Sequence, residues 1–265
     1  MTLEICGVTK RYGGAVALDD LSVRFATGRL TVLLGPDGGG AATLLALVAG
    51  IDHPDDGGVY VDGVDLVDLA PDHRPVLLGA AELLAGWAPP TDGPSVLLLD
   101  EPFAGLDPAA RQRVRERLEQ LRGDDGLTVV VHTHHPGDVL PVADEVVVVA
   151  CGRVEQAGSP ASVYDEPRSD VVMELLGDVT HLGGEAVRPH EVEVSRHPTD
   201  VAAYAGTVAH QRRLGRETRL TVLTDDGEVV EVDLSPERVA ALALGEGDTV
   251  YVSAAARRPH APCAR

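Results

Sequence analysis

The chain has 265 residues, 44% of them hydrophobic, which is enough for one large domain or two modest ones with a real core. Its formal charge is −20, from 22 basic against 42 acidic residues; this excludes the basic surface that non-specific nucleic-acid binding needs and suits anionic lipid poorly. Three far-apart cysteines, Cys6, Cys151 and Cys263, show no metal-ligand spacing, and neither a membrane-length apolar run nor a signal-peptide core is found, so a cytoplasmic protein is expected.

Residues 3–34 alternate in the β manner through LEICGV, LSVRF and RLTVLL, the last a nearly continuous apolar run suited to a buried strand. A Gly-rich stretch, LGPDGGGAATLL, follows at 34–45, and ATLLALVAG reads as a helix closed by Gly50. DDGGVYVDGVDLVDL is expected to form a hairpin turning at Asp62-Gly63. Residues 71–95 are rich in Ala, Pro and Gly, with a short helix expected over LLGAAELLAG, residues 77–86. SVLLLDEP reads as a buried strand ending in two carboxylates. The next segment, GLDPAARQRVRERLEQLRG, reads as a helix with Asp107 as N-cap, Pro108 at its first position and a stripe of Ala110, Val114, Leu118 and Leu121. LTVVVHTHH is a second buried strand, PGDVLPVAD a short helix or turn, and EVVVVACGRV a strand turning at Gly152. Strand–helix alternation up to about residue 155 implies an α/β fold with a mainly parallel sheet.

After about residue 180 the period becomes two, with a hairpin turn at Asp226-Gly227 and one helix, SPERVAALAL, capped by Ser235. This reads as a small all-β domain of the barrel type, joined by the link ELLGDVTHLGGEA.

The Gly-rich loop lies between a strand and a helix, where such loops hold phosphate. Gly35 and Gly40 fit the pattern G-x-x-x-x-G-K-[ST], and Gly38, Gly39 and Gly40 let backbone amides turn inward around an anion. The lysine and hydroxyl positions hold Ala41 and Ala42, and Thr43 comes one place too late. The lost charged bond is worth about 1.5–3 kcal/mol, and the lost hydroxyl is a direct Mg²⁺ ligand. Lys10, the only lysine of the chain, cannot be given that role from sequence. Asp100, at a strand end, suits Mg²⁺ held through water, and Glu101 suits polarising an attacking water. In this layout His134 suits a hydrogen bond to a terminal phosphate, whereas His132 and His135 read as surface or satisfied core residues. Tyr12 suits stacking on an adenine face.

These residues together resemble the ATP-binding-cassette family. VTKRYGGAVALDDLSV resembles its N-terminal segment, with Tyr12 at the adenine-stacking place; LLGPDGGGAATLL resembles its phosphate loop. SVLLLDEPFAGLDPAARQRVRERL resembles its second nucleotide motif and D-loop, Ala104 to Asp107, and THHPGDVLPVADEVVVVACGRVEQAGSPASVYDEP resembles its switch-histidine region. The tail resembles the regulatory, TOBE-like β barrel of importer subunits, closest to the sulfate/thiosulfate type. The resemblance implies a P-loop NTPase-type cassette over residues 1–178 with an N-terminal antiparallel β part, and a TOBE-like, OB-like domain over 183–265. It implies ATP and Mg²⁺ as cofactors, bound through Tyr12, Gly35, Gly38, Gly39, Gly40, Ala41, Ala42, Thr43 and Asp107, with Asp100 on the metal and Glu101 and His134 in catalysis. It also implies membrane permease subunits and a second copy as partners, at the inner face of the cell membrane.

The departures are as specific. No LSGGQ-type signature exists here, and Ala81 stands where the Q-loop glutamine belongs. Gly40 and Asp100 are 60 residues apart, about half the family's separation, which by resemblance means that the helical subdomain is cut out. That cut is expected to leave apolar sheet surface uncovered near 81–95 and to remove much of the groove that receives a permease. The expectation is an importer subunit by descent with weak ATP binding and impaired hydrolysis. The alternative is a non-catalytic regulatory or oxyanion-binding protein acting through its C-terminal β domain.

Overall fold

A computed structural model describes residues 2–79, 95–122, 126–198 and 203–254. They divide into two compact units, one ending at Leu176 and the other beginning at Gly177.

The first unit holds two sheets. The smaller is antiparallel, with strands β1 (Leu3–Tyr12), β2 (Ala15–Phe25), β4 (Asp56–Val61) and β5 (Val64–Asp65) in the order β2-β1-β4-β5. The β4–β5 turn is Asp62-Gly63, and both residues have positive φ (50° and 78°), as a two-residue hairpin turn that follows the strand twist requires. The larger sheet contains β3 (Leu30–Leu34), β6 (Val76–Gly79), β7 (Val96–Asp100), β8 (Thr128–His132), β9 (Glu145–Ala150) and β10 (Arg153–Gly158), in the order β10-β9-β3-β8-β7-β6. Only the β9–β10 pairing is antiparallel.

The continuous apolar runs of β3, β8 and β9 follow from burial on both faces. Leu33, Val130, Val147 and Val149 point to one side, against helix α1 (Ala41–Ala49) and the smaller sheet. Val32, Leu34, Val129, Val131, Val146 and Val148 point to the other, against Val114, Leu118 and Leu121 of helix α2 (Pro108–Leu121). Ala110, the first member of the expected stripe, is only half-buried. Asp107 caps α2, its carboxylate accepting the Ala110 N–H at 2.7 Å. Two short 3-10 turns, Pro136–Asp138 and Leu140–Val142, follow β8, and helices α3 (Pro160–Asp165) and α4 (Asp170–Leu176) close the unit.

The helix expected over 77–86 is corrected in part: Leu77–Gly79 belong to β6, drawn into the sheet by parallel pairing with β7. Residues 80–86 lie outside the described residues, as does Ala81. On β6, an edge strand, Leu78 is 38% exposed.

In the second unit the expected link is itself folded. Gly183 and Gly184 turn a two-stranded hairpin, β11 (Thr180–Leu182) with β12 (Glu185–Val187). A five-stranded antiparallel sheet follows, made of β13 (Val192–Ser195), β14 (Tyr204–Leu214), β15 (Glu217–Thr224), β16 (Val229–Leu234) and β17 (Thr249–Ala254), in the order β13-β17-β14-β15-β16. Its end strands β13 and β16 also approach each other, so the sheet rolls around one core of Val208, Leu220, Val222, Val230, Val232, Val250 and Val252. Helix α5 (Pro236–Leu242) starts at Ser235, whose hydroxyl accepts the Arg238 N–H. No helix among the described residues is long and apolar enough to cross a membrane.

Candidate functional site

The C-terminal ends of β3, β7 and β8 carry the residues singled out by sequence, as ligand sites of open parallel sheets do. The loop after β3 is shaped by close backbone contacts. A Cβ on Gly35 would lie 2.5 Å from the Val149 carbonyl oxygen, and one on Gly40 would lie 2.7 Å from that of Ala17. Gly40 also has φ of 109°, which only glycine adopts without strain, and it is the N-cap of α1. Gly38 has φ of 74° and open space around it. The Gly39 N–H donates to the Pro36 carbonyl at 2.8 Å, so this amide closes the loop's own turn. The Gly39 carbonyl accepts from the Gly152 N–H, bracing the loop against the β9–β10 turn.

The first turn of α1 offers the amides of Ala41, Ala42 and Thr43, which have no acceptor within the helix. Ala41 is buried and brings only a methyl group, and Ala42 adds another. The Tyr12 phenol lies beside the Thr43 side chain. That phenol donates to Asp52 Oδ2 at 2.7 Å and leaves Tyr12 half-exposed. Lys10 Nζ donates to Asp52 Oδ1 at 2.6 Å and to the His53 carbonyl at 2.7 Å, and it lies 5.1 Å from the centre of the Tyr12 ring. With its side chain 10% exposed, the only lysine is committed to this network.

Asp100 and Glu101 lie at the end of β7, beside the end of β8. His132 Nδ1 is 2.7 Å from Asp100 Oδ1; a carboxylate only accepts, so Nδ1 carries the proton. Glu101 holds a left-handed backbone (φ 45°), a strained state for a non-glycine residue, and its N–H donates to the His132 carbonyl. Its carboxylate accepts the Thr133 hydroxyl at 3.0 Å and the His134 N–H at 2.5 Å. His134 Nε2 lies 3.8 Å from Glu101 Oε1 and 3.9 Å from Asp37 Oδ1 on the Gly-rich loop. His134 thus bridges the loop and the β7 end, flanked by two carboxylates. Asp107 is placed elsewhere: its carboxylate caps α2. Sequence reading missed Asp37, Asp52 and Thr133 as partners, and it set His132 aside although its ring orients Asp100.

Parts of the chain match three family descriptions: an ABC transporter over residues 18–82, an AAA domain described as a putative AbiEii toxin of a type IV toxin–antitoxin system over 80–137, and a TOBE-like domain over 198–255. Curated relatives run almost end to end. A sulfate/thiosulfate import ATP-binding protein CysA of Mycobacterium bovis is 33% identical, covering 95% of this chain and 92% of its own length. The protein of that name in Nocardia farcinica is 33% identical, over 98% and 99%. The chain belongs to the ATP-binding-cassette family. Solved cassettes confirm the fold: a nucleotide-free cassette from an ABC transporter (TM-score 0.56, 19% identity, 67% of this chain and all of that one) and the ADP form of the cassette MJ1267 (0.56, 20%, 67% and all). The Mycobacterium bovis alignment runs over 321 positions against 265 residues here, so that cassette protein carries sequence this one lacks.

Proposed function

We propose that this chain is, by descent, the ATP-binding subunit of an importer for sulfate, thiosulfate or a related oxyanion, and that its own site binds ATP weakly and hydrolyses it poorly. The import assignment is supported by relatives of that name that match the chain along nearly its whole length.

The weak-site reading is carried by one observation. Two alanines open α1 while Lys10, the only lysine, is held by Asp52 and the His53 carbonyl. A magnesium triphosphate does not fit this donor set. It asks for a cation and a hydroxyl where there are methyl groups, and the nearby Thr43 comes one place too late in the chain. The carboxylates of Asp37 and Glu101 on either side of His134 oppose an incoming terminal phosphate by like-charge repulsion. Phosphoryl transfer depends almost wholly on positioning and electrostatics, so the surviving Asp100, Glu101 and His134 do not offset these losses.

Membrane permease subunits and a second copy complete the reading, with the chain peripheral at the inner membrane face. The test is turnover of the full chain with Mg²⁺ and ATP, beside the Ala41→Lys, Ala42→Ser variant. Background turnover by the parent is expected; turnover at about 1 s⁻¹ or faster contradicts the reading.

A further inference from the structure

One hairpin tip of this acidic chain is locally basic. Residues 210–219, where β14 turns into β15, carry four arginines and one glutamate against a net charge of −20. Residues 211–217 are all exposed. Arg212 stands directly opposite Arg219 in the β14–β15 register, a like-charge pair that disfavours the ladder. Arg219 is neutralised by Asp178 and Asp233 at 2.7 and 2.8 Å. Among the described residues no ion pair reaches Arg212 or Arg216. Leu214 sits between them, 48% exposed.

The opposite design occurs at another hairpin tip of the same chain. Residues 51–73 carry seven aspartates and no lysine or arginine. Within them β4 turns into β5 at Asp62-Gly63, with Asp62, Asp65 and Asp68 exposed around Val64, itself 58% exposed. Each tip therefore presents one exposed aliphatic side chain flanked by charges, of opposite sign on the two tips.

We propose that the arginine hairpin of one copy docks on the aspartate hairpin of a second copy, with Leu214 against Val64 and Arg212, Arg213 and Arg216 against Asp62, Asp65 and Asp68. Arg212 then gains a counter-charge that the single chain does not supply. Two hairpin tips bury well under the roughly 1,000 Å² of a stable interface, so the contact is weak and governed by ionic strength. The screening length falls from about 30 Å at 10 mM salt to about 8 Å at 150 mM, and association falls with it.

Sedimentation velocity of the full chain, over a concentration series at about 10 and 500 mM salt, tests the proposal. Concentration-dependent association is expected at low salt and monomer at high salt. Arg212→Glu with Arg213→Glu and Arg216→Glu removes the association. So does Val64→Arg with Asp68→Arg, a pair that spares Asp62 and Asp65 because their carboxylates hold the Thr2 and Val67 amides. Each lost pair weakens binding about two- to five-fold. An equimolar mixture of the two variant chains associates again, because the intact aspartate tip of the first meets the intact arginine tip of the second. Circular dichroism matching the parent certifies each fold, and glutamine in place of glutamate gives a milder set with the same direction. Monomer at low salt, association indifferent to either set of changes, or a mixture of the two variants that stays monomeric each overturns the proposal. Arginine-dependent capture on phosphatidylserine vesicles without self-association also overturns it and assigns the hairpin to lipid.

Discussion

At the scale of single residues, Lys10 is the most informative position. Asp52 is held at about 2, against an ordinary 3.8, first by the hydrogen bond from Lys10 and then by that from Tyr12. Lys10 is in turn raised above its ordinary 10.5 by the same bond to Asp52. A depressed carboxylate contributes stability above its unfolded pKa, and that contribution is lost as pH falls through the folded value. A raised ammonium contributes below its unfolded pKa and loses that share above it. The pair therefore supports the fold from about pH 4 to about pH 10, and its acid loss falls between about pH 4 and pH 2. With solvent screening allowed for, its worth is about 1 kcal/mol. Lys10→Met is expected to lower stability to urea by that amount at pH 7 and to flatten the slope between pH 4 and 2; an unchanged slope contradicts the assignment. None of this network was legible in the sequence, because Lys10 and Asp52 are 42 positions apart and meet only because β1, which carries Lys10, pairs with β4, which the Asp52 segment leads into. His132 was hidden in the same way. Its link to Asp100 comes from parallel register, Asp100 opposite His132, and spacing along the chain says nothing about register.

At the scale of elements, long periodic segments were legible and short ones were not. The continuous valines of β8 and β9 mark buried parallel strands because both faces are covered. Asp107-Pro108 marks the start of α2 because capping is local chemistry. Asp107→Ala is expected to cost about 1 kcal/mol, read as a lower thermal midpoint; an unshifted midpoint would show that the cap contributes nothing. By contrast, α3 and α4 span only six and seven residues, and each strand of the β11–β12 hairpin three, too few for a period to emerge. The β6 strand was read as helix for a related reason. LLGA suits either structure, and the parallel partner that decides lies on β7, beyond an intervening segment.

At the scale of the whole molecule, the family was legible from the loop, the β7 carboxylates and the His134 strand, because those motifs place backbone and charge where a phosphate-loop fold needs them. The proposed weakness of the site rests on the same positions, since a missing lysine needs no structure to be noticed. Among the described residues Lys10 is tied to Asp52 and His134 lies between two carboxylates, which supports that proposal. The central claim is therefore electrostatic, and calorimetric titration of the full chain with ATP, with and without Mg²⁺, tests it most directly. The parent's affinity is expected to be indifferent to magnesium. The Ala41→Lys, Ala42→Ser variant is expected to bind about ten- to a hundred-fold more tightly, with magnesium strengthening it further. Magnesium-dependent binding by the parent as tight as the variant's would contradict the account.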